Sequence, residues 1–410
     1  MVFRESCIAC MAVLLLAVSC EWEGYVDPGN TGDRLTVLEV PQLYQTIQEA
    51  IDAAFDGDTI LVASGTYRDE GNYDIRFNEK AITLRSEKGP DSTTIFCGGT
   101  SADPKRAFIF TDKEDTTSVV EGFTIDHGYA TDESVNNGWG GAVFIQFSSP
   151  KFKNCVFTAC KAKYGGAIAS RTAAPIFENC TFIGNTAFVE GGAIKAEGGG
   201  GGAKIRNCRI EFNSASERGG GIDFVNAPAS VTGSKFISNS SGNPGYGGAL
   251  YCYSSAPYFE DCIFYLNSGA DGGGAYCVEK ASPRFQNCTM VKNRGSGIDG
   301  ASGLSCNTGS LPYIDYCIIA NGEDGPAVVV NDPNNIPTFT GSCIFGNEGG
   351  DWVGLISGQE DLRFNLADDP LFCDEPVTED ARLGADSPCW PENNPSGKQI
   401  GAFVTNCDSL

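Results

Sequence analysis

Between residues 150 and 350 the hydrophobic and polar positions follow one short pattern. A Pro or Ala leads into an alternating strand, then come a Cys, a large apolar residue, an Asn and Gly-Gly-Ala. The Cys position falls at Cys155, Cys180, Cys208, Ser234, Cys262, Cys288, Cys317 and Cys343, 25 to 29 residues apart. The Asn position follows at Asn185, Asn213, Asn239, Asn267, Asn293, Asn321 and Asn347, with Cys160 in the first slot, and the glycine pairs run from Gly140-Gly141 to Gly273-Gly274. A unit of this size cannot bury its own apolar face, so neighbours must stack on it. The units hold alternating strands and no helical period, which predicts an all-β parallel β-helix. Equivalent residues on successive coils then sit about 4.8 Å apart, and each repeated position becomes a ladder. An inward Asn at a turn can share its amide with the coils above and below.

Before the array, residues 44–54 place Ile47, Ala50, Ile51 and Ala54 on one helical face. An amphipathic helix there would cover the open β edge of the first coil. Asp56-Gly57-Asp58 turns into the strand at 59–63, and further strands are expected near 107–110 and 119–125. The expected organisation is an export signal at 1–19, a polar tether at 20–35, a β-helix of roughly ten coils with its capping helix at 36–365, and a C-terminal capping segment at 366–410.

The export reading rests on Arg4 followed by an apolar run from Ile8 to Val18, too short to span a bilayer. The segment Leu16-Ala-Val-Ser-Cys20 resembles the cleavage site of bacterial lipoprotein signals, which implies lipidation at Cys20 and a place at the cell surface or outer membrane; simple secretion is the alternative. Eighteen cysteines in an exported chain suggest disulfides. Stacked positions about 4.8 Å apart, however, are wider than the roughly 3.5–4.5 Å between the Cβ atoms of a disulfide. The repeated cysteines, and a second column of Cys252, Cys277 and Cys306, are therefore expected as ladders of buried thiols. One disulfide is expected among Cys373, Cys389 and Cys407.

The net charge of -24 excludes nucleic acid as a partner, and any membrane contact other than through a lipid anchor. The acidic stretches at 112–115 and 132–133 read as solvated turns. The single histidine, His127, has no second histidine with which to build a metal or catalytic pair, and reads as structural.

Residues 40–96, with Gly65-Thr66-Tyr67 and Lys80-Ala-Ile-Thr-Leu-Arg85, resemble the start of exported right-handed β-helix proteins, including pectin methylesterases and pectate-lyase-like proteins. The right hand follows from that resemblance and from the preference of parallel crossovers. The array resembles the repeats of polymorphic outer membrane proteins, a family of bacterial surface adhesins. It carries their Gly-Gly-Ala-Ile motif at 165–168 and 191–194, and their Phe-x-x-Asn motif at 182–185, 236–239 and 264–267. The tail, with Asp369-Pro-Leu-Phe372 and Ser387-Pro-Cys389, resembles the closing segment of many exported bacterial β-helix proteins. Of the two catalytic segments of pectin methylesterases, Gln-Asp-Thr-Leu is absent. Ile222-Asp-Phe-Val-Asn-Ala227 is similar to the second but falls in repeat register, so esterase activity is not expected.

Chemistry is expected on the strands after each glycine pair. Alternation points Val143, Ile168, Ile194, Ile222, Leu250 and Tyr276 inward, leaving Phe144, Ala169, Lys195, Asp223, Tyr251 and Cys277 outward. Cys277 fits poorly there, which suggests a local shift in register. Two residues on lie Gln146, Arg171, Glu197, Val225, Tyr253 and Glu279. The candidate ligand-binding set is Arg171, Lys195, Glu197, Asp223, Tyr251, Tyr253 and Glu279, since tyrosines stack on sugar rings and the charged groups bind uronates directly or through calcium. The first expectation is a non-catalytic, adhesin-like protein that binds a glycan or a partner protein. The alternatives are a polysaccharide lyase acting on an acidic polymer, with Lys195 or Arg171 as the base and Asp223 and Glu197 holding calcium, and a structural surface spacer.

Overall fold

The computed structural model describes residues 36–130, 138–199, 201–297, 300–373, 378–402 and Cys407. The export segment, Cys20, the tether and Asp132-Glu133 lie outside the described residues. The chain divides into units 1–34 and 35–410, and the architecture below is that of the second.

It is a right-handed parallel β-helix with four sheets. Sheet 1 has 12 strands, from Val37–Val40 to Thr338–Thr340, and sheet 2 has 11, from Gly65–Tyr67 to Cys343–Phe345. Sheet 3 has six short strands, from Lys161–Tyr164 to Arg294–Gly295, and sheet 4 has nine, from Phe108–Phe110 to Val328–Val330. There are thus about 12 turns where the sequence suggested ten. The extra turns are at the N-terminal end: the strands Val37–Val40, Thr59–Val62 and Thr83–Ser86 alternate buried and exposed positions but carry no ladder residue by which to count them.

In-register stacking sets the core. Phe157 and Phe182 lie 4.8 Å apart at 5°, and Phe236 and Phe264 4.6 Å apart at 6°, as equivalent residues of adjacent coils must. Each buried ring contributes about 1.5–3 kcal/mol. The helix Ile47–Ala53 closes the first coil. Thr46 and Glu49 form its capping box, and Ile47, Ala50 and Ile51 are buried, the face expected from their spacing.

Each corner between sheets 1 and 2 pairs a left-handed residue with a ladder residue: Asn154 with Cys155, Asn179 with Cys180, Asn207 with Cys208, Asp261 with Cys262. Asn and Asp tolerate that backbone better than most residues. The ladder atom then accepts from the coil before it: Cys180 N donates to Cys208 Sγ at 3.4 Å and Cys208 N to Ser234 Oγ at 3.1 Å. Further along the ladder Cys317 N donates to Ser342 Oγ at 3.1 Å, and Ser342 N to Asn365 Oδ1 at 3.0 Å. Ser342, not Cys343, therefore holds that slot, and Cys343 pairs with Ile318 inside sheet 2.

The asparagine ladder at the next corner is continuous from Asn185 to Asn293. Each Nδ2 donates to the next Oδ1 at 2.9–3.0 Å. The slot assigned to Asn321 belongs to Gly322, whose N–H donates to Asn347 Oδ1 at 3.0 Å. Asn321 is the left-handed residue beside it, with φ 52°. Cys252, Cys277 and Cys306 stack inward on sheet 4. They and the Cys ladder are buried free thiols, and the disulfide joins Cys373 to Cys407, leaving Cys389 free and buried.

The C-terminal segment does more than close an end. Trp352 and Ile356, in and beside the 3-10 turn Gly354–Gln359, enter the core at the last coil. Residues 378–402 run back along the outer side of sheet 2, where Val291, Ile318 and Ala320 would otherwise face water. Arg209 holds Glu379 at 3.0 and 3.2 Å, and Ala402 N donates to Thr289 Oγ1 at 3.0 Å.

Candidate functional site

The site is built by the glycine corners that precede sheet 4. Gly165, Gly191, Gly219, Gly247 and Gly272 have φ between 63° and 70°, where a side chain is strained. A Cβ on the following glycine, such as Gly166 or Gly192, would overlap the carbonyl of the next coil. The glycine pair lets the chain fold back sharply. The residue just before it then forms a column of its own, with Trp139 bridged to Tyr164, and Glu190, Arg218, Tyr246 and Asp271 bridged in series.

That column lies over the outward residues of sheet 4. Lys195 Nζ is 2.8 Å from Glu190 Oε2 and 3.1 Å from Asp223 Oδ1. Arg218 Nε is 3.0 Å from Asp223 Oδ2, and its Nη2 pairs with Glu190 Oε1. Two cations and two carboxylates close a neutral ring. Lys195 is 1% exposed and Asp223 0%, so the pair is deeply desolvated. Burial raises the Asp223 carboxyl above its ordinary range, against the opposing pull of Lys195 and Arg218. For Arg218 burial acts to lower the pKa, but Asp223 and Glu190 outweigh it and hold the group above its ordinary value.

The ring continues into aromatic groups. The Arg218 guanidinium lies 4.8 Å over Tyr251, Tyr251 stacks on Tyr276 at 5.6 Å, and Tyr246 sits 4.9 Å from Tyr276. Asn307 Nδ2 donates to Tyr276 Oη at 2.9 Å. At the other end the Arg171 guanidinium lies 4.7 Å over Trp139, which packs 5.0 Å from Tyr164.

Several expected positions change. Lys195, Asp223 and Tyr251 point out of the coil as alternation requires, yet they are buried under the Glu190, Arg218 and Tyr246 column rather than facing solvent. Register pairs Leu250 with Ala275, Tyr251 with Tyr276 and Cys252 with Cys277, so Tyr276 is outward and Cys277 inward. The corner is Gly272-Gly273, one residue earlier than the sequence suggested, because Gly272-Gly273-Gly274 offers two frames. Val278 takes the slot expected for Glu279, which lies past the strand with φ 53°. Arg171, Glu197 and Tyr253 are partly exposed in one outward column, as expected. Glu197 lies opposite Val225 while Asp223 lies opposite Lys195, so Asp223 is committed to two cations and its carboxylate is not shared with Glu197. Among the described residues no group of three or more His, Cys, Asp or Glu could hold a metal ion.

Glu190, Arg218, Tyr246, Trp139 and Tyr164 were not anticipated. Their signal was present, since each directly precedes a corner glycine.

Burial pushes the Tyr251 hydroxyl up to about 12. Because the folded value exceeds the unfolded one, about 10, the neutral phenol supports the fold fully below pH 10, and this support is lost as pH rises towards 12. An alkaline titration followed by phenolate absorbance is expected to show a late phase near pH 12 that Tyr251→Phe removes. A profile unchanged by the substitution would refute that placement.

The chain belongs to the family described as right handed beta helix region, which matches residues 113–264 and 199–365. No curated protein matches it. Among solved structures it is similar to a PL6 family alginate lyase, at 12% identity and TM-score 0.43 over 77% of this chain and 53% of that one. It is also similar to the catalytic domain of a GH87 α-1,3-glucanase, at 12% identity and TM-score 0.47 over 79% and 66%. A third is the receptor-binding tailspike of bacteriophage Det7, at 12% identity and TM-score 0.35 over 83% and 77%. The chain thus spans about half the length of the alginate lyase.

Proposed function

We propose that this β-helix is an exported, non-catalytic protein that binds acidic glycan along the exposed column of sheet 4, held at the cell surface through Cys20. The observation that carries the reading is the state of Lys195. A base must offer a free lone pair to substrate, whereas Lys195 is buried with carboxylates at 2.8 and 3.1 Å. Its ammonium is engaged by both carboxylates and shielded from any polymer on the surface.

What remains accessible suits binding. Arg171 presents a fixed guanidinium on Trp139, Tyr253 presents a ring, and Glu197 stands between their coils. Such groups recognise sugar faces and uronate carboxylates without needing to transfer a proton. The test is incubation with a panel of uronate polysaccharides, following both retention in affinity gels and ultraviolet absorbance of unsaturated product. Retention that falls when Arg171 and Tyr253 are replaced by Ala, with flat absorbance, is expected. A rise in absorbance would make the protein a lyase and overturn the proposal.

A further inference from the structure

A second feature lies away from sheet 4, at the corner between sheets 2 and 3. There an open cavity of about 320 Å³ is lined by Thr100, Ser101, His127, Tyr129, Ala159 and Lys161, with Gly99 and Gly128 in its wall. The corner is tied by backbone hydrogen bonds. Gly99 N donates to His127 O at 2.9 Å, Tyr129 N to Lys105 O at 2.8 Å and Lys161 N to Gly128 O at 2.8 Å. A Cβ on Gly99 would come within 2.8 Å of Tyr129 Cβ, and one on Gly128 would overlap the Gly141 carbonyl. The hollow therefore depends on glycine at both positions.

We propose that this cavity binds a single carboxylate-bearing sugar, a uronate residue. Its volume is at the small end of the roughly 300–1,000 Å³ typical of ligand sites, which suits one ring. The lining is mixed in the way a sugar requires: the hydroxyls of Thr100 and Ser101, and the half-buried ring of Tyr129, extended by Phe188 at 5.9 Å, itself 43% exposed. Charge selects the anion. Of the carboxylates nearby, Asp103 pairs with Lys105 at 2.8 Å, and Asp126 is bonded to the His127 ring rather than turned to the cavity mouth alone. Lys161 is exposed and has no ion-pair partner among the described residues, so it presents an ammonium at the cavity mouth. Asp126 engages His127 at Nδ1, which leaves Nε2 as the nitrogen free for a ligand. The cavity shares no residue with the sheet 4 column, so it would add a second point of attachment along the same helix axis.

The experiment is calorimetric titration of the full chain with galacturonate and, separately, galactose. The parent protein is expected to bind the acid and not the neutral sugar. Lys161→Gln, on an exposed side chain, is expected to keep the parent melting temperature and weaken galacturonate binding about tenfold, as loss of a charge-assisted hydrogen bond implies. Tyr129→Ala should weaken it as well. The double variant Arg171→Ala with Tyr253→Ala, which removes the sheet 4 column, is expected to bind monomeric galacturonate like the parent. Failure of that control alone to retain polysaccharide would bear on the sheet 4 proposal and not on the cavity. Equal binding of galactose, no binding of galacturonate, or an unchanged affinity in Lys161→Gln would overturn the inference.

Discussion

Asn239→Ala is expected to destabilise the central coils by roughly 4 kcal/mol, because it breaks a ladder with no access to water. Asn239 Oδ1 accepts from the backbone N–H of Asn213 at 3.2 Å and from its side-chain Nδ2 at 2.9 Å. Asn239 Nδ2 donates to Ile210 O at 2.7 Å and to Asn267 Oδ1 at 2.9 Å. The substitution strands two donors on Asn213 and takes a donor from the Ile210 carbonyl, all in the buried interior. Each buried unsatisfied group costs about 1–3 kcal/mol. Stacked repeats need not unfold in one step. The effect should therefore be read both as a lower denaturation midpoint and as faster hydrogen exchange of the amides around Asn213 and Asn267. Lys204→Ala, at an exposed strand position with ordinary backbone, is the control. Equal losses from the two substitutions would mean that the ladder carries no special stability.

Lys195→Met should cost a similar amount, about 3–5 kcal/mol, for a different reason. With the ammonium gone, Glu190 and Asp223 share Arg218 alone, and a buried negative charge is left uncompensated. Two charge-assisted hydrogen bonds, at 2.8 and 3.1 Å, leave with the ammonium, and the remedy is to remove a carboxylate with it and restore charge balance. Lys195→Met combined with Asp223→Leu leaves Glu190 and Arg218 as a matched pair and puts apolar groups where two ions were buried. That double variant is expected to recover most of the stability, since replacing a whole buried pair is often neutral or better. Denaturant midpoints of the two single variants and the double give the coupling between the residues. A double variant no more stable than Lys195→Met would show that the ring is not held by charge balance.

Both predictions concern residues that were visible in the sequence, but in different senses. Asn239 was legible together with its role, because a stacked coil puts the same residue in the same surroundings every turn and repetition then reports those surroundings. The errors in the ladders are errors of frame. Cys343 follows Ser342, Asn321 precedes Gly322, and three glycines run from 272 to 274. In each case the neighbouring residue was as good a candidate, and the choice was made by which one took the left-handed corner and which one bonded to the adjacent coil. Spacing alone does not carry that information.

Lys195 was legible only in its direction. Alternation along a strand tells which side chains leave the coil, and it assigned Lys195, Asp223 and Tyr251 correctly to the outward side. It does not tell what lies there. The Glu190, Arg218 and Tyr246 column is brought over them by a fold-back of the backbone at the glycine corners, and the outer side of sheet 2 is covered by a tail from far along the sequence. The sequence by itself determined the coil, its inward columns and its N-terminal helix, because local period and in-register stacking fix those. Only the tertiary structure decided which outward residues meet water, because that depends on how far the backbone folds back at each glycine corner and on where a tail distant in sequence comes to lie, and the repeat reports neither.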